Sequence, residues 1–162
     1  MIQAITETGL TTYLQTKDNR IDLDAPNVIH LLKFTNDMKG GSATGEVYAY
    51  AKAETVYNRY TKFVFDYNAE PDRYTGKIKF LPSGYWKYEV YEVSWLGDIT
   101  ITETTAPRTE TDVLTPPAAS KGVVQGLVTK GKMYVADKSG TEQVQYTQRQ
   151  EPASNNYIYY GQ

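Results

Sequence analysis

Alternation of apolar and polar positions along most of the chain predicts β-strands. Residues 28–34 are apolar on both faces for several positions, which indicates a central strand rather than an edge strand. Residues 62–67 place aromatic side chains on one face, which is typical of a half-buried strand. The same alternation recurs at residues 46–52, 76–81, 85–93, 123–128, 131–135 and 144–146, and in the tyrosine-rich residues 157–160.

These segments predict the fold class, because no segment shows a sustained helical period. The strands, about seven to nine of them, recur at the spacing expected of a sandwich. We therefore predict an all-β chain that folds as a mainly antiparallel β-sandwich of the immunoglobulin-like or jelly-roll-like kind. The turn Pro82-Ser83-Gly84 predicts a hairpin or meander between residues 76–81 and 85–93, because proline presets φ and glycine permits a positive φ.

Two segments lie outside this strand pattern. Residues 1–26 predict an N-terminal arm or edge strand ahead of a sandwich domain at residues 27–162. Residues 96–120 predict a long excursion rich in threonine and proline, too poor in apolar residues to contribute to a core. Two interpretations stay open for both segments: packing against the parent domain, or contacts with adjacent subunits that offset the entropy of ordering them.

Tyrosine is the unusual component of the composition, with 15 Tyr against 4 Phe and 2 Trp. Tyrosine fits a half-buried strand, and its hydroxyl group tolerates water or the polar groups of a partner. A tyrosine-rich strand protein can therefore be buried on one face and adhesive on the other. The candidate interaction surface consists of Tyr48, Tyr50, Tyr85, Tyr88, Thr102, Thr104, Tyr159 and Tyr160.

Charge and cysteine content narrow the classes of partner. The net charge is −2, with 17 basic and 19 acidic residues interspersed, so we expect no direct binding of nucleic acid. No run of about 18 apolar residues predicts a membrane-spanning helix. The first residues lack the pattern of a secretory signal, so none is expected. Because the chain has no cysteine, disulfides and thiolate chemistry are excluded.

Few residues are candidates for catalysis. His30 is the single histidine and lies mid-strand on an apolar face, which predicts a hydrogen-bonded core or interface histidine rather than a catalytic base. One histidine without cysteine cannot complete the usual serine or cysteine triads or a standard zinc site. Glu89 and Glu92 are three apart on one strand, so they point to opposite faces and cannot converge on one glycosidic bond.

Two further motifs are better explained without a ligand. Residues 40–45 have the glycine spacing of a phosphate-binding loop, but Glu46 stands where lysine is required, which favours a flexible hairpin tip. Asp18, Asp22 and Asp24 resemble part of a calcium loop that lacks its glycine and its bidentate glutamate, which favours solvated charges. We therefore predict no catalytic, cofactor-binding or metal-binding residues, and a chain that is not an enzyme.

The aromatic strand residues leave an alternative function open. A platform for stacking sugars could be built from Tyr85, Trp86 and Tyr88 together with Tyr48 and Tyr50. Such a platform predicts a carbohydrate-binding module or a host-surface adhesin. Aromatic side chains at alternating strand positions more often form core and cross-strand pairs, which favours an assembly subunit over a glycan-binding protein.

The order of several motifs carries a resemblance to a group of known proteins. FTND (residues 34–37) closes an early hydrophobic strand, and NRYTKF (residues 58–63) leads into the phenylalanine-rich strand. PSGYWKYEVYE (residues 82–92) follows a short strand, and GKMYV (residues 131–135) precedes the tyrosine-rich tail. This succession resembles small β-sandwich structural proteins of tailed bacteriophages, particularly phages of Bacteroidetes and marine bacteria. It spans about residues 28–135 and the last strand, without counterparts for the arm and the excursion.

The resemblance implies a virion structural protein, either a capsid auxiliary or decoration protein or a neck or tail subunit. Such a protein is made in the host cytoplasm and acts in the virion, which suits a chain without cysteine. The resemblance implies contacts with other virion structural proteins and with copies of the same chain, and it implies no active site. Arms, long loops and exposed aromatic side chains are useful to a subunit whose many copies bind neighbours.

Overall fold

The computed structural model describes residues 1–39 and 45–140, which form nine β-strands and one short 3₁₀ helix, Lys17–Asn19. The strands are β1 (Ile2–Ile5), β2 (Leu10–Leu14), β3 (Asn27–Asn36), β4 (Glu46–Tyr50), β5 (Ala53–Val56), β6 (Thr61–Tyr67), β7 (Lys77–Ile78), β8 (Gly84–Trp95) and β9 (Val123–Ala136). The strands predicted at residues 144–146 and 157–160, and most of the glycine-rich loop, lie outside the described residues.

The strands form two sheets. One sheet has five strands in the order β1-β9-β8-β3-β4, and the other has four, in the order β2-β6-β5 with β7 paired to β6. Pairing is antiparallel except between β1 and β9 and between β6 and β7, which are parallel. This arrangement is consistent with a β-sandwich, so the predicted all-β class and strand number are confirmed. Strand β3 lies between β8 and β4, inside its sheet, as its two apolar faces indicate.

The core between the two sheets is built from alternate positions of the strands. Phe34 of β3 packs edge-on against Phe65 of β6 and against Phe80, with ring centroids 6.0 and 5.0 Å apart. Trp86 of β8 is fully buried beside Phe80, at a centroid distance of 5.4 Å. Edge-to-face pairs of this kind stabilise a core beyond the area that they bury. The period of two in each strand thus determines which side chains face the other sheet.

A second apolar cluster covers the opposite face of the five-stranded sheet, which we call the outer face. Leu31, Tyr50, Val93 and Trp95 of the sheet are buried there against Ala106 of the excursion at residues 96–120. The prediction that the excursion is too poor in apolar residues to contribute to a core is therefore wrong. Ile101 of the excursion, partly buried, packs against the same cluster.

Backbone hydrogen bonds hold the excursion on the outer face. The N–H of Gly97 donates to the carbonyl of Ala119 at 2.8 Å, and the N–H of Gly122 donates to the carbonyl of Thr105 at 2.8 Å. Gly122 also lies directly on the indole of Trp95, where an added Cβ would be 2.5 Å from the ring. The excursion therefore packs against its parent domain.

The N-terminal residues 1–26 also pack against the domain and contribute to both sheets. Strand β1 forms one edge of the five-stranded sheet, and β2 forms one edge of the four-stranded sheet. Gly9 lies between them, where an added Cβ would be only 2.7 Å from the carbonyl oxygen of Phe65, so the chain can approach β6 this closely only at a glycine.

The hairpin predicted between residues 76–81 and 85–93 is wrong. Strand β7 belongs to the four-stranded sheet and β8 to the five-stranded sheet, so Pro82-Ser83-Gly84 passes from one sheet to the other. Phe80 and Trp86, on either side of this turn, both enter the core between the sheets. The indole N–H of Trp86 donates to the carbonyl of Pro82 at 3.1 Å. Burial of both rings between two layers favours the crossing over pairing within one sheet.

Candidate interaction surface

Tyr50 lies on the outer face and is fully buried beneath the excursion. Its hydroxyl donates to the carbonyl of Pro107 at 2.8 Å, and its ring stacks on Tyr74 at a centroid distance of 6.4 Å. Burial raises the pKa of Tyr50 above its ordinary value. Tyr50 therefore fastens the excursion to the sheet and is not accessible to a partner, which corrects its place in the candidate interaction surface.

Tyr48 lies on the same face and joins Lys33 and Glu110 in a polar cluster that we call the latch. The ammonium group of Lys33 donates to Oε1 of Glu110 at 2.6 Å, and the hydroxyl of Tyr48 donates to Oε2 at 2.7 Å. The Lys33 ammonium also lies 5.4 Å from the centre of the Tyr48 ring, within the range of a cation–π interaction. The latch thus connects β3 and β4 to the excursion.

The pKa values in the latch follow from partial burial and from these hydrogen bonds. Burial, followed by the bond to Glu110, raises the pKa of Tyr48 to about 12. Burial lowers the pKa of Lys33, but its bonds to Glu110 and Tyr48 outweigh this effect and leave the pKa above its ordinary value. Burial likewise opposes ionisation of Glu110, but the same bonds hold the pKa of its carboxyl below the ordinary value. The Glu110 carboxylate thus accepts hydrogen bonds from both Lys33 and Tyr48, which stabilise the contact between the excursion and strands β3 and β4.

Tyr85 and Tyr88 of β8 face opposite sides of their sheet. Tyr85 is exposed, and its ring lies 5.1 Å from that of Tyr134 at an angle of 59°. Tyr88 packs against the core between the sheets, where burial raises its pKa, and it covers Gly131. With Tyr50 buried and Tyr48 in the latch, the four strand tyrosines do not form one platform.

The remaining residues of the predicted surface lie elsewhere. Thr102 and Thr104 are exposed in a turn of the excursion, with their hydroxyl oxygens 3.3 Å apart. Tyr159 and Tyr160 lie outside the described residues. Of the eight predicted residues, Tyr85, Thr102 and Thr104 are thus placed where a partner can reach them freely.

A cleft of about 670 Å³ opens between the excursion and the start of β9. Leu96, Val113 and Val123 line it, and all three side chains are exposed. Asp112 and Lys121 supply polar groups to the same wall. Several exposed apolar side chains around one concavity are typical of a surface that binds another molecule.

A second exposed apolar patch lies at the hairpin between β5 and β6. Tyr13, Tyr57 and Tyr60, which we call the tyrosine cluster, are 56%, 44% and 39% exposed. The Tyr60 ring lies 5.4 Å from that of Tyr13, at an angle of 83°, and 4.9 Å from that of Tyr57. The N–H of Tyr57 donates to the carbonyl of Tyr60 at 2.8 Å and closes the turn. The three rings therefore support one another at the surface.

The sequence pattern does not identify the tyrosine cluster, because its members lie in segments of different kinds. Tyr13 belongs to the predicted arm, whereas Tyr57 and Tyr60 flank a turn. The signal that was present is the spacing Tyr57-Asn58-Arg59-Tyr60, in which polar residues such as asparagine mark a tight turn. A tight turn brings the residues on either side of it together, so it predicts contact between these two rings.

His30 lines a pocket of about 240 Å³, together with Glu54 and Val56 of β5. Nδ1 of His30 lies 2.7 Å from Oε1 of Glu54, and the backbone N–H of His30 donates to Oε2 at 3.2 Å. The imidazole also packs edge-on against Phe63, with ring centres 5.7 Å apart. This geometry agrees with the expected hydrogen-bonded histidine on an apolar face.

The acidic residues considered for catalysis do not converge. Glu89 accepts a hydrogen bond from the hydroxyl of Tyr91 at 3.2 Å, whereas Glu92 is buried on the other face and accepts the backbone N–H groups of Ile21 and Asp22. Across residues 1–39 and 45–140, no group of three or more His, Cys, Asp or Glu residues could hold a metal ion. Over the same residues, no helix is long and apolar enough to cross a membrane.

Comparisons with known proteins found no relative of this chain. No family model, no curated protein and no solved structure matches the chain. The function is therefore inferred from the surfaces described above and from the motif order of the sequence.

Proposed function

We propose that this chain is a non-enzymatic structural subunit of a tailed-phage virion that acts through protein–protein contacts. Its place would be that of a capsid auxiliary or decoration protein, or of a neck or tail component, assembled after synthesis in the host cytoplasm. The partners would be other virion structural proteins and copies of the same chain. The motif order at residues 34–37, 58–63, 82–92 and 131–135 supports this class of protein.

The tyrosine cluster is the observation that carries the proposal. Tyrosine is enriched at protein–protein interfaces, where it often supplies much of the binding energy. Tyr60 contacts both Tyr13 and Tyr57, so the rings are held in place before a partner arrives. Less conformational entropy is then lost on binding, which favours association.

The cleft beside β9 provides a second surface, as a subunit with several neighbours requires. It belongs to the five-stranded sheet and the excursion, whereas the tyrosine cluster belongs to the four-stranded sheet. Exposed Leu96, Val113 and Val123 offer apolar area that a neighbouring protein can cover. Two separate apolar surfaces favour an assembly subunit over a domain that binds one ligand.

Mass spectrometry of purified particles of the phage that encodes the chain tests the proposal. We expect the chain to be present in a fixed copy number per particle. The double variant Tyr13→Ala/Tyr60→Ala should reduce incorporation at least tenfold, because interface anchors contribute about 2 kcal/mol or more each. Leu81→Ala is the control variant, since Leu81 is an exposed apolar side chain that belongs to neither surface. Absence of the chain from the particle, or full incorporation of the double variant, would contradict the proposal.

The alternative, a carbohydrate-binding module or host-surface adhesin, requires rings that lie flat against a sugar. Tyr13 and Tyr60 are inclined at 83°, and Tyr57 and Tyr60 at 38°, so the cluster is not a flat platform. A glycan array decides between the two functions. Reproducible glycan binding that Tyr60→Ala abolishes would favour the alternative.

A further inference from the structure

We propose that copies of this chain bind one another head to tail, with the proline tip of one copy packed against the tyrosine cluster of the next. The proline tip is the part of the excursion at residues 113–117, Val113-Leu114-Thr115-Pro116-Pro117. This inference rests on the proposed function, in which the subunit binds copies of itself, and it assigns the two surfaces that meet.

The proline tip exposes apolar groups that its own domain leaves uncovered. The Val113 side chain is 80% exposed, and Pro116 and Pro117 are also exposed. Val113, Leu114 and Pro117 line the cleft beside β9, so the tip forms one edge of that concavity. Exposed apolar side chains grouped in one place are typical of a surface that binds another protein.

Hydrogen bonds on both sides of the proline tip hold it in a defined shape. Nζ of Lys121 donates to the carbonyls of Thr115 and Pro116 at 3.0 and 2.9 Å. Ahead of the tip, the carboxylate of Asp112 accepts the backbone N–H of Arg108 at 2.9 Å. The tip is therefore ordered before it meets a partner, as the tyrosine cluster is. Two preorganised surfaces lose less conformational entropy when they associate.

The chemistry of the tip suits the tyrosine cluster. Segments that contain proline recurrently dock on aromatic side chains, because the ring of proline is apolar and its backbone is already restricted. The rings of the cluster are inclined to one another at 83° and 38°, so their faces point in different directions. Such a surface fits a narrow projecting segment better than a flat partner.

The tyrosine cluster lies beside basic side chains. Residues 57–62 contain Arg59 and Lys62 and no acidic residue. Lys62 lies directly across from Tyr13 in the register of β6 and β2, so the two side chains share a face. Within residues 1–39 and 45–140, neither Arg59 nor Lys62 forms an ion pair. Both charges are thus available to an acidic partner.

The excursion carries the opposite charge. Residues 96–121 contain four acidic and two basic residues, a net charge of −2. Asp112 directly precedes the tip and forms no ion pair with another described residue. Complementary charge favours contact of the tip with the cluster and disfavours contact between two tips or between two clusters.

The two surfaces lie on opposite sides of the sandwich. Leu10, Thr12 and Leu14 of β2 are buried, so Tyr13, which alternates with them, points away from the core of the sandwich. The excursion instead packs on the outer face of the five-stranded sheet. A single partner related by a two-fold axis therefore cannot meet both surfaces of one copy. The pairing continues from copy to copy and builds a ring or a filament.

Sedimentation of the purified full chain tests this pairing. The cluster variant Tyr13→Ala/Tyr60→Ala and the tip variant Val113→Ser/Pro117→Ser each remove one surface. We expect wild type to form oligomers that grow with concentration, and each variant to associate at least tenfold more weakly, because interface anchors are lost. Leu81→Ala should associate like wild type, since Leu81 is an exposed apolar side chain of neither surface.

An equal mixture of the two variants distinguishes head-to-tail pairing from other arrangements. The cluster variant retains the tip, and the tip variant retains the cluster. The mixture should therefore form a one-to-one dimer with about the affinity of the wild-type contact and no larger species. Added salt should weaken this dimer, because it screens the opposite charges. Formation of the dimer also shows that each variant keeps its remaining surface folded.

Several results would overturn the pairing. A tip variant that associates as strongly as wild type shows that clusters bind each other, and a cluster variant that does so shows that the tip binds elsewhere. A mixture that associates no better than either variant alone also excludes the contact. A wild-type chain that stays monomeric at millimolar concentration overturns the pairing, yet its presence in particles would leave the proposed function standing. A self-associating chain that is absent from particles supports the pairing and overturns the proposed function.

Discussion

Replacing Glu92 with glutamine tests whether a buried carboxylate holds the connection between β2 and β3 against the sandwich. Glu92 is 0% exposed, and it accepts the backbone N–H of Ile21 at 2.8 Å and that of Asp22 at 2.7 Å. Glutamine has nearly the same shape, but its NH₂ group cannot accept a hydrogen bond. One of the two backbone donors would therefore face another donor in a dry environment.

The expected loss of stability follows from these two bonds. A hydrogen bond to a charged group contributes about 1.5–3 kcal/mol, and a buried donor without an acceptor costs about 1–3 kcal/mol. We therefore expect Glu92→Gln to lower the free energy of unfolding by about 2–4 kcal/mol. For a domain of this size each kcal/mol corresponds to about 2–4 °C, so the melting temperature should fall by about 5–15 °C.

Urea denaturation and backbone hydrogen exchange measure the effect globally and locally. The amides of Ile21 and Asp22 should exchange faster in the variant, because they lose their acceptor. Glu89→Gln is the matched control: Glu89 lies on the same strand but on the other face, and it accepts one 3.2 Å bond from Tyr91. We expect this control to lose less than about 1 kcal/mol. A Glu92→Gln variant no less stable than the control, with unchanged exchange at both amides, would refute the reasoning.

Three further predictions concern the excursion. Tyr50→Phe should cost about 0.5–1.5 kcal/mol in urea denaturation, because the carbonyl of Pro107 loses its donor; an unchanged midpoint would contradict this. Gly122→Ala should cost about 1–3 kcal/mol and alter the near-ultraviolet circular dichroism, because its Cβ would overlap the Trp95 ring; an unchanged spectrum would argue against that contact. The pKa of Glu110 lies below its unfolded value of 4.5, so its stabilisation is present above about pH 4.5 and is lost as the pH falls through the folded pKa. The difference in unfolding free energy between wild type and Glu110→Gln should therefore shrink from about pH 7 to pH 3, and a constant difference would refute it.

The strands were predictable from the sequence because their signal is local. The period of two that identified residues 85–93 also places Trp86 and Val90 in the core, where the structure has them. Residues 123–128 and 131–135 form a single strand, β9, rather than two segments separated at Gly131. The glycine does not mark a break, because it provides the space that the cross-strand ring of Tyr88 occupies.

The local pattern does not predict which strands share a sheet, or which face of a sheet another segment of the chain covers. Alternation shows that Tyr48 and Tyr50 share a face, but nothing in their neighbourhood shows that the face is covered. Coverage depends on Pro107 and Glu110, which are distant in sequence and carry no periodic pattern. The candidate surface therefore includes Tyr50, which is buried, and lacks Tyr13, Tyr57 and Tyr60, which come from separate segments of the chain.

Two acidic side chains complete the backbone hydrogen bonding where no strand provides an acceptor. Strand β3 continues past the end of β4, where Leu31 is its last residue paired with that strand, and Glu54 accepts the N–H of His30 just beyond this point. Glu92 does the same for the connection that follows β2. Each carboxylate replaces a missing strand partner, as a buried backbone donor requires. Loss of either carboxylate would leave backbone N–H groups without an acceptor, at a cost of about 1–3 kcal/mol for each buried donor.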